Sequence, residues 1–294
     1  MQFLSYFING ISLGSIYAII ALGYTMVYGI AKMLNFAHGD IIMVGGYIIY
    51  VAVATLGLAP LPSIVIAVVL CTLLGILVEK VAYKPLRNAG SSLAVLITAI
   101  GVSYLLQNAA LLIFGSSTKA FTSVVTVPAI HLFDGQVVIS GEVVVTVITC
   151  FIIMGALVLF INKTKAGQAM LAVSEDKGAA QLMGINVNAT ISLTFAIGSG
   201  LAAIAGALLC SAYPTLTPYT GSMPGIKAFV AAVFGGIGSV PGALIGGIIL
   251  GIIEILSKAY ISSKLSDAIV FGILIVVLLV KPTGILGKNI QEKV

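Results

Sequence analysis

Tyr24, Thr25, Asn35, His38 and Asp40 cluster where one apolar stretch ends and the next begins. Polar and ionisable groups inside apolar segments are functional candidates by default, because lipid offers them no hydrogen bonds. Asp40, beside Gly39, has two readings: it caps the helix that follows, or it lines a pathway. His38 has no second histidine or carboxylate at metal-ligand spacing, so it reads as a loop imidazole. Thr98, Gln107 and Asn108 form a second set in a later apolar stretch. Each can hydrogen-bond a neighbouring helix, a contribution averaging about 0.6 kcal/mol. Glu175, Asp176 and Lys177 stand side by side in an otherwise greasy chain. Gly235, Gly236 and Gly238 crowd into "GGIGSVPG". Glycine costs about 1 kcal/mol relative to alanine in a helix, so such a cluster needs a reason. Either two helices press together there, or the backbone leaves helical geometry and frees amide groups toward a substrate.

Several chemistries are excluded. There is no HExxH motif, no pair of catalytic acids and no Ser–His pairing, so an intramembrane enzyme is disfavoured. "GGIGSVPG" lacks the Gly-Lys-Ser/Thr ending of a phosphate loop, so no nucleotide site and no bound cofactor is expected. Cys71, Cys150 and Cys210 all lie in apolar runs and read as structural thiols. The net charge of +5 comes without a basic cluster interleaved with aromatics, so nucleic acid is not an expected partner.

The elements that must position these groups follow from composition. The chain is 60% hydrophobic and 8% charged, with mean hydropathy +1.21. A soluble domain carries about 25% charged residues, so the solvent for most of this chain is lipid. Residues 1–31, 41–78, 88–118, 143–162, 178–226 and 228–253 contain no Asp, Glu, Lys or Arg. A spanning helix needs about 20 apolar residues. The expected fold is therefore all-α: one polytopic transmembrane domain over 1–294, with about eight segments. These run over 4–31, 40–56, 64–79, 92–114, 143–161, 189–212, the interrupted region 225–257, and 266–280. The start lacks a basic leader region, so the first segment is expected to be a permanent helix. A polar stretch, 115–142, contains Lys119, His131 and Asp134. The cores of the runs hold no acid or histidine, which weighs against a self-contained secondary transporter or channel.

Ten of the fourteen basic residues lie at Lys32, at 80–87, at 163–177 and in the tail. Placing them in the cytoplasm puts the N-terminus outside and the C-terminus inside. Region 225–257 must then enter and return on one side, as a re-entrant helical pair broken near Gly238–Pro241. Lys227, near the outer surface, is expected to snorkel. Gly242–Gly246, Gly247–Gly251 and the series Gly198, Ala202, Gly206 have the small-xxx-small spacing of helix contacts.

The loop 163–188 carries the polar trio. Ser174 is expected to cap a short helix from Glu175 to Met183, with acids in its first turn and Gly184 as a left-handed stop. Ala179, Leu182 and Met183 then form a small apolar face that either docks a protein partner or lies on the lipid interface.

At this level of detail the sequence resembles a known family. "SEDKGAAQLMGI" is similar to the coupling segment of ABC-transporter permeases. "NGISLGSIYAIIALGYTMVYGIAKMLNFAHGD", "GIKAFVAAVFGGIGSVPGALIGGIILGIIE" and "KPTGILG" resemble branched-chain amino-acid permeases, in order along nearly the whole chain. The likeness is to H-type subunits of high-affinity Leu/Ile/Val importers of bacteria. Many ABC permeases have Glu directly before the paired alanines, where this chain has Gly178. The resemblance implies a second homologous permease chain, two cytoplasmic ATPase subunits that use ATP, and an extracytoplasmic substrate-binding protein, in the bacterial inner membrane. It implies that Glu175, Asp176, Ala179, Ala180, Leu182, Met183 and Gly184 couple the chain to the ATPases. Relatives of this architecture that carry urea or short amides leave the substrate open. Tyr24, Asn35, His38, Asp40, Thr98, Gln107, Asn108, Gly235, Gly236 and Gly238 remain the pathway candidates.

Overall fold

A computed structural model of the protein describes residues 2–87, 92–132 and 137–287. Asp134, Lys288 and Lys293 lie outside the described residues. Helix α1 (Gln2–Ala31) is the axis of the bundle, and every residue from Ser12 to Val27 is buried. A helix apolar on all sides can only be a core helix or a lipid helix. This one is wrapped by α5, α8, α9 and α10. Lys32 ends it in a left-handed conformation (φ 57°).

The chain then folds back into the bundle. Helix α2 (His38–Tyr50) starts with the His38 imidazole over Gly23, roughly 12 Å short of the end of α1. It continues as a π-helical turn to Thr55. Helix α3 (Pro60–Val78) begins earlier than the expected position 64. Proline in a first turn loses no hydrogen bond, since those N–H groups are unpaired anyway. At its other end the helix runs on through a π turn (Glu79–Tyr83) and a 3₁₀ turn (Lys84–Leu86). Two of the charges there meet inside the protein. Glu79 pairs with Arg87 and accepts from the Ser192 hydroxyl, and Arg87 also donates to Asn188.

Helix α4 (Ser92–Phe114) has its expected bounds. Short strands β1 (Lys119–Ala120), β2 (Ile130–Leu132) and β3 (Val137–Ile139) follow in the polar stretch. Strands β2 and β3 pair antiparallel, and β1 pairs with β4 (Thr215–Leu216), which follows α8. Helix α5 (Gly141–Lys163) leads to α6 (Lys165–Glu175) and α7 (Lys177–Leu182), and α8 (Val187–Ala212) is the second central helix.

The 225–257 region is a helix pair, α9 (Ser222–Gly235) and α10 (Val240–Tyr260), followed by α11 (Ser266–Val280). Helix α10 runs antiparallel to α1 in close contact. Gly10 faces Ile252, Gly14 faces Ile248 and Gly251, and Ala18 faces Gly247. A Cβ on Gly14 would stand 2.6 Å from the Ile248 Cα, so only glycine permits this approach. Gly246 packs on Ala231 of α9, Gly206 on Ile42 of α2, and Gly198 on Gly23 of α1. The small-residue spacings thus mark helix contacts.

Seven helical stretches among the described residues are long and apolar enough to cross a membrane. Helices α9 (14 residues) and α11 (15 residues) are shorter. The expected eight segments with a re-entrant pair become seven long helices and two shorter ones, with α10 long enough to cross by itself. Helices α3, α4, α5 and α11 turn large apolar side chains outward, among them Leu73, Ile97, Ile152 and Leu279. The molecule is an all-α, multi-pass membrane protein.

Two expectations about charge are corrected. Acids do occur in the packed interior: Asp40, Glu79 and Glu254 are at most 2% exposed. Lys227 does not snorkel. It is buried, because α9 begins inside the bundle, and its ammonium pairs with Glu254 and Asp267, each at 2.7 Å.

Candidate functional site

Gly39 packs against the Gly221 carbonyl and against Gly225. This close approach brings the first turns of α2 and α9 together inside the bundle. Tyr24 of α1 stands beside them, edge-on to His38 (4.7 Å) and to Phe229 (5.7 Å). Helix α4 closes the third side. Among these elements lies a cavity of about 360 Å³, lined by Tyr24, Asp40, Ser103, Gln107 and Ser222 on its polar side. Its apolar wall includes Phe36, Leu96, Ile100 and Ile226. Ligand sites of this kind, mostly apolar with a few converging polar groups, run from about 300 to 1,000 Å³.

Asp40 does not cap α2. The cap position is Ala37, and no side chain serves it. Asp40 lies in the first turn of α2, and its Oδ1 accepts from the Gln107 amide at 2.8 Å. The same Gln107 nitrogen stands 3.2 Å from the Ser103 hydroxyl and 3.3 Å from that of Ser222. A carboxylate here prefers an interhelical amide because α4 offers one at contact distance. Among the described residues no lysine, arginine or histidine pairs with Asp40.

The structure brings Tyr24, Asp40 and Gln107 to one cavity and leaves the other pathway candidates elsewhere. Asn35 is buried and accepts from the Tyr83 hydroxyl at 2.8 Å, tying the α1–α2 loop to α3. His38 is packed behind the cavity against Gly23, with its Nε2 unpartnered. Thr98 is half-buried on α4. Asn108 is exposed and bonds its own helix at Tyr104. Gly235, Gly236 and Gly238 lie at the end of the bundle where α1 stops, beside Gly29, Gly242 and Gly287. Gly236 and Gly238 have φ of 106° and 95°, so the break is a tight turn between α9 and α10. It is capped by the Ile285 and Leu286 amides, which donate to Phe234 and Gly235. Ser103 and Ser222 escaped the sequence reading. Ser103 was legible, since it lies four residues before Gln107 and so on the same helix face. Ser222 was not, because only the fold brings α9 beside α4.

A second feature lies at the end of the bundle marked by Lys32. The short-helix expectation is corrected there. Ser174 bonds back to Leu171 inside α6, and Asp176 caps α7 by accepting from the Ala179 amide at 2.9 Å. Glu175 is the last residue of α6. Asp176 takes the role because it alone has the extended backbone of a cap (φ −151°, ψ 114°). Gly184 (φ 82°) stops α7. The Ile185 amide donates to Ala180 and the Gly184 amide to Gln181, each at 3.0 Å, which is the Schellman pattern. Ala180 is buried against the protein, while Ala179 is exposed. Leu182 and Met183 are 90% and 82% exposed. The Lys177 ammonium donates to the Ala31 carbonyl at 2.9 Å, fastening α7 to the last turn of α1. Burial, then Arg87 and Lys32 nearby, hold Lys177 below its ordinary pKa.

A third cluster links four helices. Glu254 on α10 accepts from Lys227 (2.7 Å), Lys258 (2.6 Å) and the Tyr17 hydroxyl (2.8 Å). Lys227 also reaches Asp267 on α11. The charges balance within the cluster.

Comparison with known proteins decides the family. Residues 6–278 match the family described as "Branched-chain amino acid transport system / permease component". The chain belongs to this permease family. The permease is 45% identical to the high-affinity branched-chain amino acid transport system permease protein LivH of Escherichia coli K12, over 100% of this chain and 98% of that one. It is 43% identical to the corresponding protein BraD of Pseudomonas aeruginosa, with the same coverage. A probable branched-chain amino acid permease of Methanocaldococcus jannaschii is 32% identical over 92% of this chain and 88% of its own length. The permease is accordingly a transport component.

Proposed function

We propose that this permease is one of two homologous membrane chains of an ATP-driven importer for branched-chain amino acids. An extracytoplasmic binding protein delivers the substrate. Two cytoplasmic ATPase subunits dock on the paired permeases, and all ATP chemistry is theirs. The chain sits in the bacterial cytoplasmic membrane with its N-terminus outside, and Lys32, Lys177 and Lys281 face the cytoplasm in accord with the positive-inside rule.

The observation that carries the reading is the geometry of α7. Leu182 and Met183 project from a short helix whose other face, through Ala180, is packed on the protein. Two large apolar side chains held outward on a rigid mount suit a groove on a partner. Burying each there is worth about 1.5–3 kcal/mol. Lys177 transmits a displacement of α7 to α1, and α1 touches most of the bundle. Glu175 and Asp176 have mainly local parts in this reading, ending one helix and starting the next.

The test is a pair of charge substitutions, Leu182→Asp and Met183→Asp, in the complete importer. Each variant should accumulate in the membrane at the normal level, fail to retain the ATPase subunits on purification, and reduce leucine uptake to background. Normal ATP-driven uptake by the double variant would remove α7 from coupling.

A further inference from the structure

The cavity between α2, α4 and α9 holds a buried carboxylate and, among the described residues, no countercharge. Glu79 has Arg87, and Glu254 has Lys227 and Lys258. Asp40 has the Gln107 amide and, among the described residues, no base, although it is 2% exposed. A buried unpaired charge is costly, and in a membrane interior it marks a ligand or ion pathway. A multivalent metal is a poor fit. Among the described residues no three His, Cys, Asp or Glu side chains converge, and the neighbours of Asp40 are an amide and hydroxyls.

We propose that this cavity is a binding station for a free aliphatic α-amino acid, with the Asp40 carboxylate receiving its ammonium group. The proposal rests on the transport function argued above and assigns residues to it. The donor inventory fits a zwitterion. Gln107 spends an amide N–H on Asp40, which leaves its carbonyl oxygen as a second acceptor for the ammonium. The Ser222 hydroxyl lies in reach of the same Gln107 nitrogen at 3.3 Å, so by accepting there it keeps its own proton for the substrate carboxylate. Tyr24 lines the cavity as well. Leu96, Ile100 and Ile226 make an apolar wall for a branched side chain. These three aliphatic side chains carry no polar group to reject one branched chain in favour of another. The station therefore selects for the α-amino-acid head and for apolar bulk, and discriminates weakly among leucine, isoleucine and valine.

The test places a thiol in the cavity. Cys71, Cys150 and Cys210 are buried, so a single Ser103→Cys substitution in the assembled importer reports alkylation at the site. L-leucine should slow that alkylation. Leucinol, which keeps the ammonium, should slow it too, and 4-methylpentanoate, which lacks it, should not. Adding Asp40→Asn should weaken protection by leucine roughly tenfold to a hundredfold in an importer that still assembles. A second variant, Ile100→Trp, fills the cavity from the half-exposed α4 face and should abolish protection without touching the carboxylate. Equal protection by 4-methylpentanoate, or protection unchanged by Asp40→Asn, overturns the proposal. Protection by sodium ions in place of leucine overturns it as well and makes Asp40 a cation site. Leucine uptake by the unmodified importer is measured in parallel. Uptake with no protection sinks the station alone, whereas absence of any amino-acid uptake sinks the function on which it rests.

Discussion

At the scale of single residues the protein separates its buried acids by partner. Glu79 and Glu254 are structural, each answered by a base from a neighbouring element. Asp40 is answered by an amide and a cavity. The difference predicts opposite behaviour on neutralisation. Glu254 ties Tyr17, Lys227 and Lys258 together. Removing it strands the buried Lys227 ammonium with Asp267 alone, and breaking a buried pair costs about 3–5 kcal/mol. Glu254→Ala should therefore lower the thermal transition of the purified protein sharply. The double variant Glu254→Leu with Lys227→Met should recover much of that loss, because the stranded charge is gone. Thermal unfolding in detergent measures both. A double variant as unstable as the single one would show that the cluster acts through something besides its charges.

At the scale of elements the decisive contact is α1 against α10. Lipid is as apolar as the side chains it would replace, so helices in a membrane associate through close packing rather than a hydrophobic drive. Gly10, Gly14, Gly247 and Gly251 supply that closeness. Gly14 and Gly251 meet backbone to backbone, leaving no room for a Cβ on either. Gly251→Val should prevent α10 from seating and abolish stable accumulation of the chain. A methyl group on Gly272 in α11 would meet nothing within 4 Å. Gly272→Ala should be neutral or stabilising by up to about 1 kcal/mol. Membrane accumulation and thermal transition of the two variants check the contrast. Equal effects would mean that glycine acts through helix propensity and not through packing.

At the scale of the whole molecule, the antiparallel pairing sets which ends share a face. Tyr6 and Tyr260 touch at 5.9 Å, so the start of α1 and the end of α10 lie together. Lys177 reaches Ala31, so α7 lies at the other end. Single cysteines at Gln2 and Ser263 should react with an impermeant thiol reagent added from outside. One at Gly178 should react only after permeabilisation. The native thiols are at most 1% exposed and should stay silent. Labelling of positions 2 and 263 from opposite sides would contradict the pairing of α1 with α10.

Much of this was legible in the chain itself. The charge-free runs located the long helices, because lipid tolerates few charges and helices alone satisfy their own backbone. Gly184 as a helix stop and the small-residue faces of α8 and α10 follow from local geometry. The polar trio at Glu175–Lys177 marked the segment that breaks into α6 and α7. What the chain alone did not determine depends on depth and on partners distant in sequence. His38 and Ser222 are far apart in the chain, yet their helices start side by side. No periodicity encodes that α2 begins level with Gly23 instead of at the end of α1. For the same reason Lys227 read as a surface residue and Asp40 as either a cap or a pathway residue: the bases that answer Glu254, and the amide that answers Asp40, are assigned by packing between helices. The glycine cluster Gly235–Gly238 read either as a contact between helices or as a break that frees amides toward a substrate, and neither reading placed it at the edge of the bundle. Only the docking of Leu286 and Gly287 against it decided for the edge.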